Sequence, residues 1–108
     1  MPGIIHAQHR FMKDRFKTAL CLGVVSGLLD QGRISSGQTF LDLGTGSGVL
    51  GIACCKSGLS GLGLDIDPLA VDNALENREL NQVRGFDVAL GGIEVAVGRS
   101  FDLVLANI

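Results

Sequence analysis

Three glycines at alternate positions, Gly44, Gly46 and Gly48, follow an aspartate, Asp42, set in a short apolar run of Phe40, Leu41 and Leu43. Glycines so spaced let the backbone turn tightly out of a strand and bring N–H groups up to a ligand where a Cβ would block it. A second register overlaps the first, because Gly46, Gly48 and Gly51 fit the dinucleotide spacing. The apolar run stops at Leu43, which makes Gly44 the first turn residue and favours the tighter register. A carboxylate two residues before that turn repels a pyrophosphate but attracts an ammonium or a sulfonium. S-Adenosyl-L-methionine carries both cations and no phosphate, so it is the expected cofactor. Asp42 is then expected to orient its ammonium, and Gly44, Thr45, Gly46 and Gly48 to pass beneath its methionine part.

A second acidic residue arrives at the end of the next apolar run, Leu62-Gly63-Leu64-Asp65. It falls about 20 residues after the first glycine, where a carboxylate accepts both hydroxyls of a ribose, and Ile66 stands beside it. Ribose binding is common to adenine dinucleotides and S-adenosylmethionine, so an NAD(P)-binding oxidoreductase stays open on these residues. Asp67 and Pro68 read as the N-cap and first position of a helix running to about Asn81. Val71, Ala74 and Leu75 are expected on its buried stripe, with Asp72, Glu76 and Glu79 in solvent. Each acid also has a structural reading: Asp42 bonded to neighbouring backbone, Asp65 as a turn residue.

The elements that must position these groups alternate. Helix is expected over about 15–30, 48–57 and 68–81, and strand over 39–43, 61–65, 85–90 and 101–106. Residues 93–97 are read as helical or irregular. Alternation of this kind predicts an α/β fold with a parallel sheet. The chain, 108 residues with 46% hydrophobic residues, 16 glycines and a formal charge of −2, is sized for one compact domain or most of one. Residues 1–38 are expected to form an N-terminal arm and a helix, and 39–108 the cofactor-binding core of a partial domain. No apolar run suits a membrane span and no cleavage site suits a signal peptide, so a cytoplasmic location without membrane partners is expected. Cys21, Cys54 and Cys55 supply neither a disulfide framework nor a zinc spacing. His6 and His9 lack a third ligand, so no metal is expected. The run Arg10, Lys13, Arg15, Lys17 reads as a solvated helix face rather than a nucleic-acid contact.

Together, Phe40 to Asn81 and Ser100-Phe101-Asp102-Leu103-Val104-Leu105-Ala106-Asn107-Ile108 resemble the class I S-adenosylmethionine-dependent methyltransferases, and most of all the PrmA-type ribosomal protein lysine methyltransferases. Asp65-Ile66-Asp67-Pro68 with Ala70-Val71, the spaced Asn77 and Asn81, and the ending Ala106-Asn107-Ile108 narrow the likeness. Where the family has a glycine-rich loop with His-Pro-Thr-Thr, this chain has Phe11 to Thr18, keeping one threonine. The resemblance implies a Rossmann-like sheet of strand order 3-2-1-4-5-7-6, of which this chain would supply the N-terminal half, about four strands. It also implies methyl transfer to a protein amine, such as a lysine of a ribosomal protein, with Asn107 contacting the cofactor and directing the acceptor. Asp87 is a secondary candidate for the adenine side. A truncated chain would leave its fourth strand as an apolar edge inviting self-association, and an inactive cofactor-binding remnant is the alternative outcome.

Overall fold

The computed structural model describes residues 15–106. Helix α1 (Arg15–Asp30) precedes strand β1 (Thr39–Leu43), helix α2 (Val49–Lys56), strand β2 (Ser60–Asp65), helix α3 (Pro68–Leu80) and strand β3 (Phe86–Leu90). A 3₁₀ turn, Ile93–Ala96, and strand β4 (Leu103–Ala106) complete it. The strands are all parallel in the order β3-β2-β1-β4. The chain therefore winds outward from β1 through β2 to β3, then returns to the other side of β1. That reversal puts the topological switch point at the carboxyl ends of β1 and β4, the kind of place where open parallel sheets bind ligands.

Strand periodicity assigns the two faces. Phe40, Phe86 and Leu105 turn toward Val25, Leu50, Ile52 and Cys54 of the helices. Leu41, Leu62 and Leu64 turn the other way, onto Ala96 and Phe101. Helix α2 is apolar all round, with Val49 through Cys54 buried, as a helix held inside the fold must be. It lies close to the sheet because Gly51 has no side chain. A Cβ there would stand 2.3 Å from Phe86 Cζ, and one at Gly63 2.9 Å from Phe86 Cε1, so the ring of Phe86 fills the space these glycines leave.

Most expected boundaries agree with the structure to within a residue, and 93–97 is the short 3₁₀ turn. Two expectations need correction. Strand β4 starts at Leu103 rather than 101: at Asp102 the chain meets Thr39 through its carboxylate, which accepts the Thr39 N–H (2.9 Å) and Oγ1 (3.2 Å), as well as through its own N–H to the Thr39 carbonyl (3.0 Å). The inner stripe of α3 is Ala70, Asn73, Ala74 and Asn77, while Val71 and Leu75 are only half-buried. Small and amide side chains win these positions because α3 packs onto the glycine turn, where bulk does not fit and backbone groups need partners. Among the described residues no helix is long and apolar enough to cross a membrane.

Candidate functional site

The glycine turn is built from β1 outward. Gly44, Gly46 and Gly48 take φ of 71°, 56° and 83°, the left-handed region, and Gly48 is the N-cap of α2. Alternating left-handed residues fold the chain back over the end of β2. The Leu64 carbonyl accepts the N–H groups of both Gly44 (2.8 Å) and Thr45 (2.9 Å), and the Gly48 N–H donates to the Thr45 carbonyl (2.9 Å). The Gly46 N–H donates to Asp65 Oδ2 (2.9 Å). The strand ends at Leu43 and the turn begins at Gly44, the tighter of the two registers.

Asp65 joins two loops. While Oδ2 holds the glycine turn, Oδ1 accepts the Asp67 N–H (3.0 Å), and the residue is 3% exposed. Asp67 in turn accepts the Leu69 N–H (3.0 Å) with its side chain, the expected N-cap of α3 ahead of Pro68. Against this frame lies a cleft of about 660 Å³ lined by Leu43, Gly44, Leu64, Asp65, Ile66, Asp67, Gly91, Gly92 and Ile93. Ile66 (80% exposed) and Ile93 (58%) stand on its apolar rim, and Glu94 Oε1 accepts the Gly92 N–H (2.9 Å) beside it. That bond holds the Glu94 carboxyl below its ordinary range.

The other candidates occupy different places. Asp42 is fully buried on the helix side of β1, where Oδ2 accepts the Thr45 hydroxyl (2.8 Å). Its charge lies near Cys54, whose thiol is pushed up to about 12 by burial first and by Asp42 second. Thr45 is buried, with its hydroxyl beside Gly63. Gly48 sits under α3, where an added Cβ would be 3.2 Å from Ala74 Cβ. Asn107 lies outside the described residues, as do His6, His9, Arg10 and Lys13. Asp87 is at the far end: with Thr39, Ser60, Arg99 and Phe101 it lines a separate hollow of about 300 Å³ near the amino ends of the strands. It is therefore not an adenine-side residue of the cleft.

Sequence reasoning did not single out Glu94, whose carboxylate accepts the Gly92 N–H beside the cleft, or the part played by α3. Asn77 Nδ2 donates to the Ser47 carbonyl (2.8 Å) across the helix–turn junction. The signal was present as asparagines four apart, Asn73, Asn77 and Asn81, on a face otherwise of alanines.

The arrangement suits a cationic, ribose-bearing ligand better than a pyrophosphate. A phosphate at a glycine turn needs backbone N–H donors, and those of Gly44, Thr45, Gly46 and Gly48 already donate within the chain. Asp65, on the cleft wall, offers a carboxylate for ribose hydroxyls. Comparison with known proteins agrees. The family model described as ribosomal protein L11 methyltransferase (PrmA) matches residues 14–108. A ribosomal protein L11 methyltransferase of Desulforapulum autotrophicum is 43% identical over 94 residues, covering 84% of this chain and 29% of its own length. Among solved structures, a SAM-dependent methyltransferase from Thiobacillus denitrificans in complex with S-adenosyl-L-homocysteine is similar with a TM-score of 0.65 and 26% identity, over 81% of this chain and 35% of that one. An RNA methyltransferase from Salinibacter ruber, also in complex with S-adenosyl-L-homocysteine, gives a TM-score of 0.66 and 27% identity over 78% and 56%. The chain spans less than a third of the length of the curated relatives it matches first.

Proposed function

We propose, since this chain belongs to the ribosomal protein L11 methyltransferase (PrmA) family, that it forms the S-adenosyl-L-methionine site of an enzyme that methylates an amine of a ribosomal protein. The observation that carries the reading is the bond from the Gly46 N–H to Asp65, which takes up within the chain a donor that a dinucleotide site would offer to phosphate. The cleft volume lies within the roughly 300–1,000 Å³ of small-molecule sites.

Asp65 has both oxygens oriented by backbone donors and keeps acceptor capacity on each for the ribose hydroxyls. Ile66 and Ile93 offer apolar surface for the adenine, and Gly44 and Gly46 let the methionine part lie against the backbone. Asp42 acts as a positioning residue from behind the turn, through Thr45, and adds negative charge on the ammonium side. When bound, the cofactor supplies a methyl group already activated on a sulfonium, so the protein's task is position and exclusion of water. Asn107, which follows the β4 residue paired with Leu43, directs the acceptor amine through its side-chain carbonyl, keeping the nitrogen lone pair aimed at the methyl. The compartment is the cytoplasm, where such an acceptor is made.

Isothermal titration of the chain with S-adenosylhomocysteine and with NAD decides the cofactor. Binding of the first and not the second is expected, and the reverse overturns the reading.

A further inference from the structure

We propose that Asn77 is a positioning residue that sets the shape of the glycine turn, and with it the cofactor affinity, by clamping the Ser47 carbonyl from α3. The consequence for affinity rests on the reading above; the clamp does not.

Ser47 sits between two left-handed glycines, Gly46 and Gly48. Such a stretch has few side chains to hold it, so its shape depends on who bonds its backbone. Three of its anchors come from β2: the Leu64 carbonyl takes two N–H groups and Asp65 takes a third. All of them act on donors in the first half of the turn. On the second half, Asn77 Nδ2 holds the Ser47 carbonyl at 2.8 Å, spanning 30 residues of sequence, with Asn77 1% exposed. Ala74, one turn earlier on α3, lies where a Cβ of Gly48 would reach it at 3.2 Å. An alanine and an asparagine three apart thus meet the same few atoms of backbone, one by contact and one by hydrogen bond. The helix is itself fixed at both ends. Asp67 caps its start, Asn81 Nδ2 donates to the Asn77 carbonyl (2.8 Å) near its end, and Arg78 Nη1 donates to the Phe86 carbonyl (3.1 Å) on β3. Asn77 therefore transmits the position of a rigid helix to the turn. A buried amide is costly to hold in an apolar stripe unless it has such partners.

The test uses two variants of the chain and two readouts. N77L keeps the branched outline of the side chain in a somewhat larger volume and removes the donor. N77D replaces the amide by a group that can donate to the Ser47 carbonyl only when protonated. In the ligand-free chain, amide hydrogen exchange at 44–49 should quicken about tenfold or more in N77L while β2 exchanges as before, the scale of one buried hydrogen bond. Unchanged exchange there overturns the clamp, whether or not the chain binds any ligand. The dissociation constant for S-adenosylhomocysteine should rise about tenfold in N77L at every pH. In N77D it should rise at least as much near neutral pH and recover as the pH falls and the acid regains its proton. A merely structural loss of packing would not recover in this way, so equal weakening of N77D at all pH values also overturns the proposal. Failure of the unsubstituted chain to bind S-adenosylhomocysteine would remove the cofactor reading alone, with the exchange result still deciding the clamp.

Discussion

Removing the Asp65 carboxylate tests the centre of the site. In D65A the ligand loses the acceptor for its ribose, and a hydrogen bond to a charged group contributes about 1.5–3 kcal/mol. That corresponds to a dissociation constant for S-adenosylhomocysteine weaker by roughly tenfold to a hundredfold. The fold suffers too, because the Gly46 and Asp67 N–H groups, at 2.9 and 3.0 Å from the two oxygens, both lose their acceptor. A buried donor left unsatisfied costs about 1–3 kcal/mol, a large part of a total stability of about 5–15 kcal/mol. D65N separates the two effects. Its amide keeps one acceptor oxygen but turns an N–H₂ toward the other donor, so both stability and affinity should fall between those of the unsubstituted chain and D65A. Isothermal titration at a temperature where urea denaturation shows each variant folded gives the comparison. A folded D65A or D65N that binds S-adenosylhomocysteine as tightly as the unsubstituted chain would refute the role of Asp65 on the ribose and leave it a loop-joining residue only.

Three further outcomes are expected. G46V should abolish S-adenosylhomocysteine binding, since a β-branched residue is strained at φ 56° and its side chain fills the side the ligand approaches, with circular dichroism checking that the chain still folds. G51A should destabilise the fold by about 1–3 kcal/mol in urea, because its Cβ would press on the buried Phe86 ring at 2.3 Å; an unchanged midpoint would mean that α2 moves away freely. Burial pushes the thiols of Cys54 and Cys55 up from 9.0 to about 12, with Asp42 adding to the first and Asp87 to the second. The unfolded chain then loses these protons before the folded one does, so stability should fall as pH rises from 9.0 toward 12, and replacing both cysteines by alanine should flatten that fall in urea titrations.

Much of this protein is written locally. The stop of the apolar run at Leu43, the glycines of the turn, and Asp67-Pro68 ahead of α3 each act through neighbours in the chain, so element order and the turn register are legible from the sequence. The acidic end of β2 was legible as well, because strand length alone carries Asp65 to the same end of the sheet as Gly44. What the carboxylates touch was decided by tertiary structure. Asp42 and Asp65 look equivalent in sequence, each at or near the end of a strand before a turn. Strand alternation sends Asp42 inward to Thr45 and Cys54, whereas the last position of β2 leaves Asp65 on the cleft wall with the glycine turn folded onto it. The inner face of α3 was misread for the same reason. Hydrophobicity alone points to Val71 and Leu75, but the surface that α3 meets is bare backbone, which accepts alanines and an amide donor and excludes branched chains. Local spacing thus determined which elements form and which residues end them. Only the packing of one element on another determined which of those residues face the ligand and which hold the residues that do.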